Sequence, residues 1–223
     1  MGSLRYLTHT RPDISYAVGV ISRFMERPTV KHQQAVKHIL RYISGTVEHG
    51  LRYSRDGNKK MLAGVTDSDL GGDVVDRRST GGMCFYLNGN LVSWASQKQR
   101  VIALSSCEVE YMAAATAACQ SIWLRGLLKE ISGQQIGAIT LSIDNRSAIE
   151  LMKNPVLHGR SKHIDVRFHF IQECIERGGL VVKHVATQEQ RADILTKPLG
   201  KVKFEAMKKL IGVENLAAVE TSV

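Results

Sequence analysis

This 223-residue chain has little of what marks exported, metal-knuckle or membrane-embedded proteins. Its four cysteines, Cys84, Cys107, Cys119 and Cys174, form no C-x-x-C pair and lie in apolar or helical surroundings. That pattern excludes a zinc ribbon and a disulfide framework, and reads as buried free thiols of a reducing compartment. No apolar run approaches the ~20 residues that a membrane-spanning helix needs. The start, Met1 to Tyr6, carries no apolar signal core. Tyr6 also stands where a myristoylation motif wants Ser or Thr. The expected setting is therefore intracellular, cytoplasmic or nuclear, away from membranes. Repeats and low-complexity tracts are absent as well.

What is present is a globule with a basic balance. Hydrophobic residues make up 43% and charged residues 23%, enough apolar content for a folded core. The net charge is +9 with a pI near 9.5, which favours a polyanionic partner, nucleic acid ahead of acidic lipid. The 21 acids rule out a simple basic tail.

Residues 1–45 read as helical. After Arg11-Pro12-Asp13, apolar residues at Ile14, Ala17, Val18, Ile21, Phe24 and Met25 form a helical stripe that Pro28 breaks. A second stripe, Val30 to Ile43, ends at Gly45. Two amphipathic helices must pack on something, so this is an appendage, with the boundary in residues 46–60. Strand signals follow at Met61–Thr66, Gly81–Leu87 and Leu91–Ser96, the last two joined by the hairpin signal Asn88-Gly-Asn90. Ser105-x-x-Glu108 is a capping box ahead of a long helix, Val109 to Ile131. A strand at Ile139–Ile143 leads into a capped short helix from Asp144 to Met152. A further helix and a strand at Leu180–Val185 come next. Thr187-x-x-Gln190 predicts a last short helix through Thr196, before a tail with one amphipathic stretch, Phe204 to Ile211, that then frays. The order from residue 61, β-β-β-α-β-α-α-β-α, predicts an α/β fold with a mixed sheet and helices on its faces.

Under that topology the first and fourth strands lie side by side in parallel. Asp67 and Asp144 then project into one crevice at the carboxyl ends of strands, where open α/β sheets bind ligands. Glu108 and Asp193 can reach the same point. Four carboxylates in one crevice repel unless cations sit between them, and oxygen-only ligands suit Mg²⁺ or Mn²⁺. Two such ions, roughly 3.5–4 Å apart, can clamp the attacking and leaving oxygens of a phosphodiester. Each acid taken alone has a plainer account: Asp67 and Asp69 a turn, Glu108 the capping-box glutamate, Asp144 a helix N-cap, Asp193 a solvated helix acid. All four together, in this order of elements, are harder to dismiss.

Several segments also resemble one family in its own order. They are Leu7-Thr-His-Thr-Arg-Pro-Asp-Ile-Ser15, Thr66-Asp-Ser-Asp69 with Gly72-Asp73, Asp76-Arg-Arg-Ser-Thr-Gly81 and Val92-Ser-Trp94. Leu104-Ser-Ser-Cys-Glu-Val-Glu-Tyr111, Asp144-Asn-Arg-Ser-Ala-Ile149, Lys162-His-Ile-Asp165 and Ala192-Asp-Ile-Leu-Thr-Lys-Pro198 follow. The chain, over about residues 1–200, resembles the ribonuclease H domain of Copia-type retrotransposon Pol polyproteins with the connection segment before it. The resemblance implies a ribonuclease H-like, five-stranded mixed sheet and cleavage of the RNA strand of RNA:DNA hybrids, leaving 5′-phosphate and 3′-hydroxyl ends. It implies Mg²⁺ (or Mn²⁺) held by Asp67, Glu108, Asp144 and Asp193, with Asp69 as the weaker alternative to Asp67. It divides the chain into a connection segment (1–58), the ribonuclease H-like domain (59–200) and a tail (201–223).

The departures are Leu70, where the family has an aromatic or longer acidic-aromatic motif, and a short loop before Asp193 without a flexible histidine. His184 falls in a strand and receives no catalytic role. The polymerase palm is absent, so the implied partners are the hybrid and a polymerase portion on another chain. Candidate substrate contacts are Lys98, Arg100, Asn145, Arg160 and Lys162, with Arg167 beside them. Trp94 and Trp123 are expected in the core. The rival reading is a non-catalytic nucleic-acid-binding or protein-interaction module from a truncated element.

Overall fold

The structure of the chain is a computed structural model that describes residues 1–55, 61–153 and 162–217, with residues 162–168 described by their backbone. Three short helices open it: α1 (Gly2–Leu7), α2 (Ser15–Ser22) and α3 (Val30–Ser44). They bury a small core of their own, Leu4, Ile14, Val18, Ile21 and Ile39; the last four lie on the two predicted apolar stripes, of which Met25, Val30 and Leu40 are exposed. The strand β1 (His49–Leu51) follows. Then come β2 (Leu62–Ser68), β3 (Thr80–Leu87), β4 (Asn90–Lys98), the 27-residue helix α4 (Ser106–Ser132), β5 (Ile139–Ile143) and α5 (Arg146–Lys153). The chain continues with α6 (Lys162–Glu176), β6 (Leu180–His184), α7 (Lys201–Leu210) and β7 (Val213–Asn215).

Five strands form one sheet in the order β4-β3-β2-β5-β6. The first two pairings are antiparallel and the last two parallel. This is the mixed, helix-flanked sheet of the ribonuclease H-like expectation. The β3–β4 turn places Asn88 and Gly89 at positive φ, 51° and 82°, the left-handed pair that a two-residue hairpin turn demands. One face of the sheet buries Leu62, Phe85, Leu141 and Ile143 against the alanine-rich face of α4, with α5 and α6 beside it. The other face buries Cys84, Tyr86 and Leu91 against Ile194, Leu195, Met207 and Ile211.

The last helical prediction differs. Residues 187–195 form two 3₁₀ turns, Thr187–Glu189 and Arg191–Leu195, in place of an α-helix. Gln190, predicted to complete a capping box, is instead fully buried. Its Oε1 accepts the Ala192 amide and its Nε2 donates to the Thr66 carbonyl. The tail also does more than fray. After α7, β7 pairs antiparallel with β1, so strands that precede and follow the five-stranded sheet in the chain share a two-stranded sheet of their own. The appendage packs against β4 and the 3₁₀ turns: the half-buried Trp94 donates from Nε1 to the Thr8 carbonyl at 3.0 Å, and Tyr42 meets Phe204 of α7 edge-on. Trp123, expected in the core, is exposed on α4, and so is Cys119.

Candidate metal centre

Buried acids meet at the carboxyl ends of β2 and β5, the adjacent interior strands that run parallel. β2 carries the buried Asp67 next to its last residue, Ser68, and Asp144 follows directly after β5. Helix α4 lies across both strands and turns Glu110 toward them. Asp67, Glu110 and Asp144 each offer a carboxylate oxygen, and these atoms all lie within 4.8 Å of one another. At that separation each ionised pair costs about 3 kcal/mol at an effective dielectric of ~20, several times thermal energy. The site answers by taking up protons when no cation is present. Burial, then the charges of Asp67 and Asp144, push the Glu110 carboxyl up to about 9. Burial pushes Asp67 up to about 6, against the pull of Lys197 and Thr196. Glu110 Oε1 accepts the Ser68 amide at 3.1 Å, whereas Oε2 is buried and has no hydrogen-bond partner. An all-oxygen donor set with an orphaned carboxylate oxygen fits a hard divalent cation.

Behind the trio lies a second ring. Asp193, carried by the Arg191–Leu195 turn, is fully buried. Its Oδ1 lies 2.8 Å from Lys197 Nζ, and its Oδ2 is paired with Lys203 of α7. The same Lys197 Nζ lies 3.3 Å from Asp67 Oδ2, which also accepts the Thr196 hydroxyl. Burial works against the Lys197 ammonium, but Asp67 and Asp193 outweigh it and hold its pKa above the ordinary lysine value.

No protein-family model matches the chain. It is 43% identical over 216 residues to the retrovirus-related Pol polyprotein from transposon TNT 1-94 of Nicotiana tabacum, a match over 96% of this chain and 16% of that protein. It is likewise 43% identical over 213 residues to that from transposon RE1 of Arabidopsis thaliana, over 96% of this chain and 14% of the relative. The chain is homologous to a segment of the retrovirus-related Pol polyproteins of plant transposons. It spans about a seventh of the length of these relatives. A solved structure of similar shape is LC11-RNase H1 in complex with an RNA/DNA hybrid, with a TM-score of 0.45 and 16% identity, covering 60% of this chain and 93% of that one.

Within this Pol segment the predicted site residues fare differently. Asp67 and Asp144 come together as expected. Asp69 stays outside: its carboxylate accepts the Thr80 amide and braces the turn after β2. Glu108 also stays outside, and Glu110 takes the place expected for it. The Glu108 carboxylate accepts the Leu104 amide at 2.8 Å while its own amide donates to Ser105 Oγ at 3.1 Å, so Ser105 caps α4 and Glu108 is spent on the same capping turn. Two residues along a helix is a turn of ~200°, which points Glu108 and Glu110 to opposite sides. The signal that could have found Glu110 is its register with Ala114, Ala117, Ala118 and Ser121, the small residues of the buried face of α4. Asp144 is not a cap, because Asn145 Oδ1 performs that task on the Ala148 amide at 3.0 Å. Asp193 sits in the second ring rather than among the three that converge.

The substrate candidates divide as well. Asn145 is committed to its cap. Lys98 is committed to Asp73 and Asp76, at 2.6 and 2.7 Å. Arg100 is exposed and lines an open groove of about 780 Å³ between the appendage and β4, together with Arg5 and Arg23. Arg160 lies outside the described residues, and the side chains of Lys162 and Arg167 lie outside them too. Among the described residues no helix is long and apolar enough to cross a membrane.

Proposed function

We propose that this chain is the ribonuclease H part of a Copia-type transposon Pol polyprotein and acts as a Mg²⁺-dependent endonuclease on the RNA strand of RNA:DNA hybrids. The observation that carries the reading is the convergence of Asp67, Glu110 and Asp144, with Glu110 Oε2 buried and unpartnered. Asp67, Glu110 and Asp144 would hold one divalent ion, with Asp67 and Asp193 flanking the position of a second. When bound there, such ions would lower the pKa of a coordinated water and offset negative charge on the leaving oxygen.

The chain's own residues supply the rest. The Ser68 amide fixes Glu110, and the Thr196 hydroxyl fixes Asp67, so the carboxylates are oriented before any ligand arrives. Arg100 and Arg5 offer exposed charge to a phosphate backbone along the groove beside β4. An A-form-like hybrid would be recognised there by shape and 2′-hydroxyls rather than by base sequence.

The test is cleavage of a labelled RNA:DNA hybrid with Mg²⁺ or Mn²⁺, wild type beside Asp144→Asn and Glu110→Gln. Cutting that is lost in both variants and in EDTA is the expected result. Salt-sensitive hybrid binding without cutting would instead make the chain a nucleic-acid-binding module.

A further inference from the structure

Lys197 stands where a cation belongs. Its ammonium lies between two fully buried carboxylates from different parts of the fold, 3.3 Å from Asp67 Oδ2 and 2.8 Å from Asp193 Oδ1. Asp193 is saturated from its other side by Lys203, which arrives on the C-terminal helix α7. Asp193 Oδ1 makes no hydrogen bond but has the Lys197 ammonium at ion-pair distance, whereas Glu110 Oε2 has neither a hydrogen bond nor a cation beside it. The crevice is therefore divided: one half is an open oxygen donor set, and the other is already neutralised by the chain. The Lys197 side chain remains about a third exposed, so its ammonium can leave for solvent without disturbing the core.

We propose that Lys197 is the resident cation of the position between Asp67 and Asp193, and that a divalent ion binds there only in exchange for it. The proposal rests on the metal-centre reading above and deepens it. It makes the two ion positions unequal: the Asp67–Glu110–Asp144 position fills first, and the second fills at a cost set by displacing a lysine. Lys197 is thus a positioning residue, acting through Asp67 and Asp193 on metal occupancy.

Calorimetric titration of the full chain with Mn²⁺ tests this without recourse to activity. The wild type is expected to bind one ion strongly and a second much more weakly. Lys197→Met should tighten the second site at least about tenfold, since it removes a unit charge a few ångströms from the incoming ion, and should change the first site much less. Lys197→Arg, which keeps the charge, should titrate like the wild type, and circular dichroism would establish that each variant is folded. Two equivalent sites in the wild type, or a second site that Lys197→Met leaves unchanged or weakens, would overturn the proposal. A first site lost in Glu110→Gln would still support the metal-centre reading in that event. No Mn²⁺ binding at all would overturn both.

Discussion

Gln190 Nε2 donates to the Thr66 carbonyl at 2.9 Å, and both residues are completely buried. Together with the Thr196 hydroxyl on Asp67, this bond joins the turn that carries Asp193 to the strand that carries Asp67. Neither Gln190 nor Thr66 is an acid, yet the relative placement of two acids passes through them. Gln190→Ala should destabilise the chain by about 1–3 kcal/mol, the cost of leaving a buried carbonyl unpaired. Urea denaturation would measure it, and an unchanged midpoint would show that the turn is held by other means.

The two glutamates of α4 have separable tasks. Glu110→Gln is expected to abolish ion binding at the Asp67–Glu110–Asp144 position and hybrid cleavage while stabilising the metal-free chain, because it removes a buried acid that faces Asp67 and Asp144. Glu108→Gln should cost about 0.5–1 kcal/mol at the helix start and leave cleavage close to wild type. Paired cleavage assays and melting curves distinguish them. Activity lost through Glu108 and kept through Glu110 would reverse the assignment.

Stability of the metal-free chain should fall as pH rises. Asp67 and Glu110 both titrate higher in the folded chain than their ordinary values, so the folded state holds more protons than the unfolded state over the intervening range. Their contribution is complete at low pH. It is lost between 3.8 and about 6 for Asp67, and between 4.5 and about 9 for Glu110. In EDTA, the melting temperature at pH 9 should lie below that at pH 6. Mg²⁺ should narrow the gap, and Glu110→Gln should flatten it. A wild-type profile that rises toward pH 9 would contradict the buried-carboxylate account.

Gly82 lies where β3 passes beneath the Asp193 turn. A Cβ there would meet Thr196 Cγ2 at 2.7 Å, Leu195 Cβ at 2.8 Å and the Ala192 carbonyl at 3.1 Å. Gly82→Ala should therefore push the turn away from β2, destabilising the fold by about 1–3 kcal/mol through overpacking. It should also weaken the Lys197 contact with Asp67, which thermal melts and Mn²⁺ titration together would reveal.

Arg100 and Lys98 should part company in binding. Arg100→Ala is expected to weaken hybrid binding across sequences and to lower the salt slope by about one. Lys98→Ala should act mainly on the 69–79 loop, because its ammonium is held by Asp73 and Asp76. Hybrid titrations at several salt concentrations would separate a phosphate contact from a loop brace.

The elements of this chain were legible from local pattern. Apolar runs ending in turn residues marked all five sheet strands, and Asn88-Gly89 marked the hairpin, because strand alternation and left-handed turn chemistry are properties of neighbouring residues. The pairing of Asp67 with Asp144 was legible too, since it follows from β2 and β5 lying parallel. Ser105 with Glu108 was correctly a cap, and that success hid Glu110, two residues on and on the opposite side of the helix. The 3₁₀ turns at residues 187–195 escaped local reading because Gln190 spends its side chain on Thr66, which is distant in sequence.

What the sequence determined alone was therefore the order of the five sheet strands and of the helices between them, the acidic character of the crevice and the family, but neither β1 nor β7. Only the tertiary structure decided which glutamate enters the crevice, that Asn145 rather than Asp144 caps α5, and that Lys197 and Lys203 neutralise Asp193. The physical reason is range. Propensity and periodicity act within a few residues, whereas the partner of a buried charge is set by whichever element the fold brings against it.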